Sequence, residues 1–364
     1  MVALGWVLSV VSVSLAQDAS SNKTYEQAVA KGVDFLKGKL QAGDGSISGE
    51  RTPAVTALAV AGILRHGRSP DDPVIAKALK FLESQAQEDG GLYNPKSGWK
   101  NYETALIVLA LSEANKDGRY KKLIEKAAAF LRNDQWDEGE GKSKADVEYG
   151  GAGYGGPNKR RPDLSNTAFS IDALRSAGSP ADDESIQRAI VFVSRCQNLE
   201  SEYNATEFPA KNPDGGFYYT PAEGGNSQAG NTDGGGLRSY ASMTYAGLKS
   251  MIAAGLKKDD PRVKAAHAWL SKHYDLKQNQ GMGDNGLFYY YLTLAKAMDA
   301  SGEKEIVDAK GEKHDWRKEL TAELASRQGS DGSWVNANAR WMEGDANLVT
   351  AYALLALSHA KPAK

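Results

Sequence analysis

The sequence is poor in the residues that announce a disulfide scaffold or a soft-metal centre. It holds one cysteine, Cys196, and no disulfide framework or thiolate cluster can be built from a single thiol. Histidine is scarce as well. The five, at 66, 267, 273, 314 and 359, show no ligand spacing. His267 and His273 are six apart on one predicted helix, which is not the i, i+4 spacing that places two side chains on one face. No metal and no cofactor are therefore expected. An excess of one charge is also missing. Forty-four Lys and Arg stand against 46 Asp and Glu, a net charge of −2. With no basic stripe or block, nucleic acid is not an expected partner.

Long hydrophobic runs are absent beyond the first residues. Leu4 to Leu15 is apolar apart from Gly5, Ser9, Ser12 and Ser14, and Ser14-Leu15-Ala16 offers small residues at signal-peptidase spacing. No Lys or Arg precedes this run, so a retained anchor or a misassigned start is the alternative reading. The stretch is short for a bilayer span. Residues 1–16 are read as a cleaved signal peptide, leaving residues 17–364 as one exported domain, periplasmic or secreted, with no stable membrane span.

What is present is a repeated phrase. A helix-like run ends in Gln, then Asp-Gly-Gly and an aromatic or apolar residue follow, then a run opening with Thr-Ala. One copy is Phe81-Leu82-Glu83-Ser84-Gln85, Asp89-Gly90-Gly91-Leu92-Tyr93 and Thr104-Ala105-Leu106. The last is Leu324-Ala325-Ser326-Arg327-Gln328, Asp331-Gly332-Ser333-Trp334 and Thr350-Ala351-Tyr352. About six copies imply stacked units that share one core.

The helical runs fall into two classes. Amphipathic helices are predicted at about 25–40, 72–87, 119–134, 182–197, 260–273 and 315–328. Helices apolar on every side are predicted at about 52–66, 102–115, 165–177, 240–255, 286–301 and 346–360, as in Thr104-Ala-Leu-Ile-Val-Leu-Ala-Leu111. A helix apolar all round must be buried all round, so an inner ring inside an outer ring satisfies both patterns. The expected fold is all-α, a single (α/α)6 toroid of six helical hairpins. Asp71-Asp72-Pro73, Asp182-Asp183 and Asp259-Asp260-Pro261 precede outer helices and read as caps rather than catalytic pairs. Two links, at about 134–164 and 198–238, are long and Gly-rich, and together are placed to cover one mouth of the ring.

The repeated phrase resembles the repeat of the terpenoid-cyclase and protein-prenyltransferase superfamily, over essentially the whole mature chain. Copies two, four and six match well; copies one, three and five are degraded. The resemblance implies a central cavity lined by inner helices. Squalene-type cyclases carry Asp-x-Asp-Asp-Thr-Ala at an inner-helix N-terminus, and the middle Asp protonates the substrate. Here the matching segment is Asp163-Leu164-Ser165-Asn166-Thr167-Ala168. The first acid and the Thr-Ala remain, but Ser165 and Asn166 replace the other two acids and read as N-cap residues. The prenyltransferase branch needs Asp, Cys and His ligands for zinc, and Cys196 at an outer-helix end reads as a buried filler.

These readings imply a protein that holds an apolar, isoprenoid-like molecule in its cavity, with turnover left open. If it is an enzyme, Asp163, Glu103, Asp233, Asp284 and Asp345 are the candidate acids. Ser165, Asn166, Tyr240, Ser242, Tyr245, Tyr289, Tyr290 and Tyr291 are the candidate ligand-binding residues, because aromatic faces suit a cation or a prenyl chain. Packing around the axis is the competing reading of the tyrosines. A carbohydrate-active or carbohydrate-binding toroid and a protein-interaction scaffold are the alternatives from other classes.

Overall fold

A computed structural model of the protein describes residues 4–41, 43–47, 52–156 and 161–362. Residues 1–3 of the expected leader and 157–160 of the first long link fall outside the described residues.

Helices alternate between two rings. α1 (Leu4–Gln41) is outer and α2 (Ala54–Arg65) inner; α3 (Pro73–Glu83) and α4 (Lys100–Ala114) follow in the same order, then α5 (Lys121–Asn133) and α6 (Leu164–Ser176). α7 (Glu184–Arg195) is outer; after the one-turn α8 (Phe208–Lys211) comes the inner α9 (Ala241–Ala253). α10 (Pro261–Lys272) with α11 (Leu287–Ser301), and α12 (Trp316–Arg327) with α13 (Ala346–His359), complete six hairpins. The inner helices pack in the order α2, α4, α6, α9, α11, α13 and back to α2, so the ring closes. The protein is an all-α toroid. Among the described residues the named strands are one short hairpin, Ile306–Val307 against Lys313–His314.

Composition sets which ring a helix joins. α2 is buried at every residue from Ala54 to Leu64. α3 buries Ile75, Ala78, Leu79 and Leu82, the i, i+3, i+4, i+7 stripe of an amphipathic helix. The acidic pairs act as caps. Asp72, Asp183 and Asp260 accept from the amides of Val74 (3.0 Å), Ser185 (3.0 Å) and Arg262 (2.9 Å), which takes up N–H groups that have no partner inside the helix.

The Gln and Gly positions of the repeat join neighbouring outer helices. The Gln135 side-chain amide donates to Gly150 O (2.9 Å) and to Ser185 O of α7 (2.8 Å). Gln197 bridges Gly215 O and Arg262 O of α10, both at 2.9 Å. Gln328 bridges Gly332 O and Ala28 O of α1, both at 2.9 Å, and so ties the last hairpin to the first. Copy two differs from its well-matched sequence: the Gln85 amide stays on its own helix, on Phe81 O and Ser84 Oγ. Its turn is held instead by Asp89, which accepts from Gly91 N (3.0 Å) and Tyr93 Oη (2.6 Å). The bridge survives at Gln135 in a degraded copy, because an insertion between Gln135 and Gly150 leaves both ends in place.

The turn glycine allows the close approach. Gly150 has φ +82, and a Cβ there would lie 1.9 Å from Arg188 O of α7. Both long links fold over the N-terminal ends of inner helices. Asn101 donates to Gly153 O (2.8 Å) and to Tyr154 O (3.1 Å) in the first. In the second, Thr220 Oγ1 donates to Pro162 O (2.7 Å) and Tyr219 O accepts from Leu164 N (2.9 Å).

Candidate functional site

The inner helices run parallel, so their first turns converge at one mouth. There they enclose a cavity of about 310 Å³. First-turn residues of all six contribute: Ala54 and Val55, Tyr102, Ser165, Ser242, Tyr289 and Leu348. The links close over it with Tyr154 from the first, Tyr219 and Gln228 from the second, and Trp341, Met342 and Glu343 from the stretch before α13. Trp341 (φ 55) and Met342 (φ 65) hold left-handed backbone, which costs a residue with a Cβ about 1–2 kcal/mol; that turn puts both side chains on the cavity.

The wall is largely aromatic. Tyr102 meets Phe169 edge-on with ring centroids 5.7 Å apart and Tyr154 at 5.8 Å. Tyr289 lies 6.1 Å from Phe169 and 6.0 Å from Tyr352. These spacings suit tilted and edge-to-face aromatic packing. Burial raises the hydroxyl pKa of Tyr102, Tyr240, Tyr289 and Tyr352, so all four stay neutral at any ordinary pH.

The polar groups are few and engaged. Ser165 Oγ and Tyr289 Oη are 2.8 Å apart. Ser242 donates its backbone N–H to Asn279 Oδ1 (3.0 Å), and its Oγ accepts from Asn279 Nδ2 (3.2 Å). Glu343 is the carboxylate on the wall, 1% exposed. It accepts from Tyr289 N (2.8 Å), Phe288 N (3.3 Å) and Asn336 Nδ2 (2.7 Å). The cause is local: α11 starts at Gly286, which has no side chain to cap it, so Glu343 takes the free amides from another part of the chain. Burial raises the Glu343 pKa, against the pull of these hydrogen bonds.

The sequence candidates divide by position. Ser165, Tyr240, Ser242 and Tyr289 line the cavity. Asp163 and Asn166 stand behind the wall. Asp163 caps α6, accepting from Asn166 N (2.9 Å) and Asn166 Nδ2 (2.7 Å), and burial lifts its pKa to about 6 against those bonds. Glu103 is also buried behind it, accepting from Thr52 Oγ1 (2.7 Å) and Asn94 N (2.8 Å), with its pKa raised by burial. Asp345 caps α13 through Asn347 N (2.8 Å). Asp233 and Asp284 are exposed, off the cavity wall.

The tyrosines separate by helical phase. At 3.6 residues per turn, Tyr290 and Tyr291 are rotated about 100° and 200° from the cavity-facing Tyr289. They bond Asp275 O and Leu276 O, each at 2.7 Å. Tyr245 packs on Tyr290 with centroids 5.9 Å apart. None of these three lines the cavity.

Sequence reasoning passed over Trp99, Tyr102, Tyr219, Trp341, Tyr352 and Glu343. Tyr102 carried a signal, since it precedes Glu103-Thr104-Ala105 at an inner-helix start. Glu343 carried none, because it serves a helix 55 residues upstream. Away from the cavity, Asp308, Glu312 and His314 bring potential metal-ligand atoms together on the short hairpin. There His314 Nδ1 already pairs with Glu319 (3.0 Å), and Asp308 accepts from the amides of Lys310 and Glu312.

Comparison with known proteins gives a consistent picture. The squalene-hopene cyclase C-terminal domain family matches residues 42–220. Among solved structures, the type II terpene cyclase MstE from Scytonema in its apo form aligns with a TM-score of 0.56 and 14% identity, over 94% of this chain and 98% of that one. The same enzyme with geranylgeranyl dihydroxybenzoate, its substrate, aligns at 0.54, with the same identity and coverage. A protein from Actinoplanes aligns at 0.50 with 16% identity, over 92% of this chain and 99% of that one. No curated protein matches the sequence.

Proposed function

We propose that this chain is a terpenoid-cyclase-like protein whose aromatic cavity holds an isoprenoid chain without starting a proton-initiated cyclisation, a reading supported by the squalene-hopene cyclase C-terminal domain match over residues 42–220 and by the shared toroid fold. The observation that carries the reading is the cavity itself: aromatic on most sides, covered by two links, with Ser165 bonded to Tyr289 where a squalene-type cyclase has its acid. About 310 Å³ has room for about ten water-sized groups at ~30 Å³ each. A prenyl chain of about ten carbons fits without rearrangement and a longer one leaves its end at the mouth; burying its surface supplies roughly 25 cal/mol per Å².

Proton donation is the missing step. A protonating acid must present a neutral carboxyl to the alkene. Burial raises the Glu343 pKa, but both its oxygens accept from N–H donors, so neither is free to present a proton to an alkene. Asp163 has a raised pKa but lies behind the wall, with its oxygens engaged by Asn166 and by the Tyr219 side chain. Serine and buried tyrosine hydroxyls are far weaker acids than a carboxyl. A polysaccharide site would call for an open groove with paired carboxylates, and the described wall carries Glu343 alone. A scaffold would call for a filled axis.

The binding of farnesol and squalene, followed by tryptophan fluorescence from Trp99 and Trp341 on the wall, tests the reading together with product analysis by gas chromatography and mass spectrometry. Saturable farnesol binding with unchanged ligand is expected. A cyclised product from the wild type overturns the non-catalytic part, and failure to bind either isoprenoid turns the reading to carbohydrate or protein partners. Export with cleavage after Ala16 belongs to the same proposal; the intact mass of exported protein should lack residues 1–16.

A further inference from the structure

The opposite mouth of the toroid is built from other chemistry. There the last turns of the inner helices surround a second cavity, also about 310 Å³. Its deep end holds Asp172 of α6, paired with Lys249 of α9 and Lys296 of α11. Asp172 is 6% exposed, and the two lysine side chains are 15% and 16% exposed. With both amines protonated, one carboxylate between two ammonium groups leaves one positive charge over.

The surrounding groups do not cancel it. Arg65 pairs with Glu113 at 2.7 Å. Asp299 pairs with Arg317 at 3.2 Å and bonds His359 Nδ1 at 2.8 Å. His359, its pKa lowered to about 4 by burial, is neutral at pH 7. Arg175 donates to the backbone oxygen of Ser179. The negative helix ends act mainly within the last turn, where Arg65 and Arg175 already stand. A buried charge without a partner is costly, and burial depresses both amines, Lys249 well below the usual lysine range and Lys296 to about 7.

The rest of the wall is apolar: Leu58, Leu106, Leu109, Leu292, Leu355 and Phe169. Where the two cavities approach each other there is a space of about 20 Å³, which shares Phe169 and Tyr289 with the aromatic one and Asp172, Lys249 and Lys296 with this one. That is room for a single water, so this cavity is a site of its own rather than the floor of the aromatic one.

We infer that the second mouth binds a small monocarboxylate with an apolar body, its head held by Lys249 and Lys296 and its tail against the leucines. One carboxylate matches the one surplus charge; a dianion overshoots it. The volume suits a body of about six to eight carbons, again at ~30 Å³ for each water-sized group. Arrival of the anion favours the protonated form of both depressed amines, so binding above pH 7 takes up protons.

Titration calorimetry of the full chain at pH 8, in two buffers of different ionisation enthalpy, tests this with hexanoate, hexan-1-ol and inorganic phosphate as probes. Expected are one hexanoate per chain, at least tenfold weaker binding of hexanol and phosphate, and net proton uptake at pH 8 that falls as the pH is lowered. Lys296→Met should weaken hexanoate at least tenfold, with Lys249→Met as the second variant. Should either variant misfold, the wild-type comparison of hexanoate with hexanol decides alone. The inference is overturned if hexanoate does not saturate, if hexanol or phosphate binds as tightly, or if a folded lysine variant keeps its affinity within twofold. Tyr352→Trp narrows the other cavity and should leave hexanoate binding unchanged, so loss of farnesol binding with hexanoate binding intact sinks only the isoprenoid reading.

Discussion

Replacing Asp163 with Asn should stabilise the protein at neutral pH and not in acid. Asp163 is 2% exposed, with a pKa of about 6 in the folded chain against an ordinary 3.8. Each unit is worth about 1.4 kcal/mol, so ionising this carboxyl in the fold costs about 3 kcal/mol. The sign follows from proton counting. Between pH 3.8 and 6 the folded chain holds a proton that the unfolded chain has lost, so stability falls as pH rises through this window and is flat above it. An Asn at 163 carries no charge and escapes the loss. Its Oδ1 can keep the bond from Asn166 N, now 2.9 Å. Its new NH2 would face the Asn166 Nδ2 that now donates at 2.7 Å. Asn166 Oδ1 has no hydrogen-bond partner among the described residues, so turning that amide over supplies an acceptor. Losing the charged cap costs about 1 kcal/mol at most. Urea unfolding of both proteins at pH 4, 6 and 8 should show Asp163→Asn gaining about 2 kcal/mol at pH 6 and 8, and none at pH 4. A gain that does not vary with pH, or a variant less stable than wild type at pH 8, refutes the reasoning.

Two further outcomes concern the repeat. Gly150→Ala puts a Cβ 1.9 Å from Arg188 O at φ +82 and should cost about 2–5 kcal/mol from backbone strain and overpacking together; Gly118→Ala, also at φ +82 but in open space, should cost only about 1–2 kcal/mol, and equal losses in thermal melts would remove the close approach as the cause. Gln328→Leu removes the hydrogen bond to Ala28 O that joins the last hairpin to α1 and the one to Gly332 O in the hairpin's own turn, so a loss of about 2 kcal/mol is expected at ~1 kcal/mol per bond, and a melting temperature equal to wild type would show that the ring closes by apolar packing alone.

The sequence by itself determined the two helix classes, their order and most of their ends, because each is a local matter. An all-round apolar run such as Thr104 to Leu111 must be buried, a four-residue stripe such as Ile75 to Leu82 has one buried face, and Asp72-Pro73 or Asp260-Pro261 caps the helix it precedes. The inner-helix starts stand out through the superfamily resemblance of Asp163 to Ala168 rather than through a local pattern. Tertiary structure decided which side chains meet there. Tyr289 faces the axis while Tyr290 and Tyr291 do not, since the rotation of α11 is set by its packing on α9 and α13, and the Tyr-Tyr-Tyr run is ambiguous in phase. Glu343 reaches the wall because α11 begins at a glycine 57 residues earlier and lacks a cap of its own. Asp172, Lys249 and Lys296 come from three inner helices. Their charges look like ordinary helix polarity in sequence and become a site only when the ring closes and water is shut out.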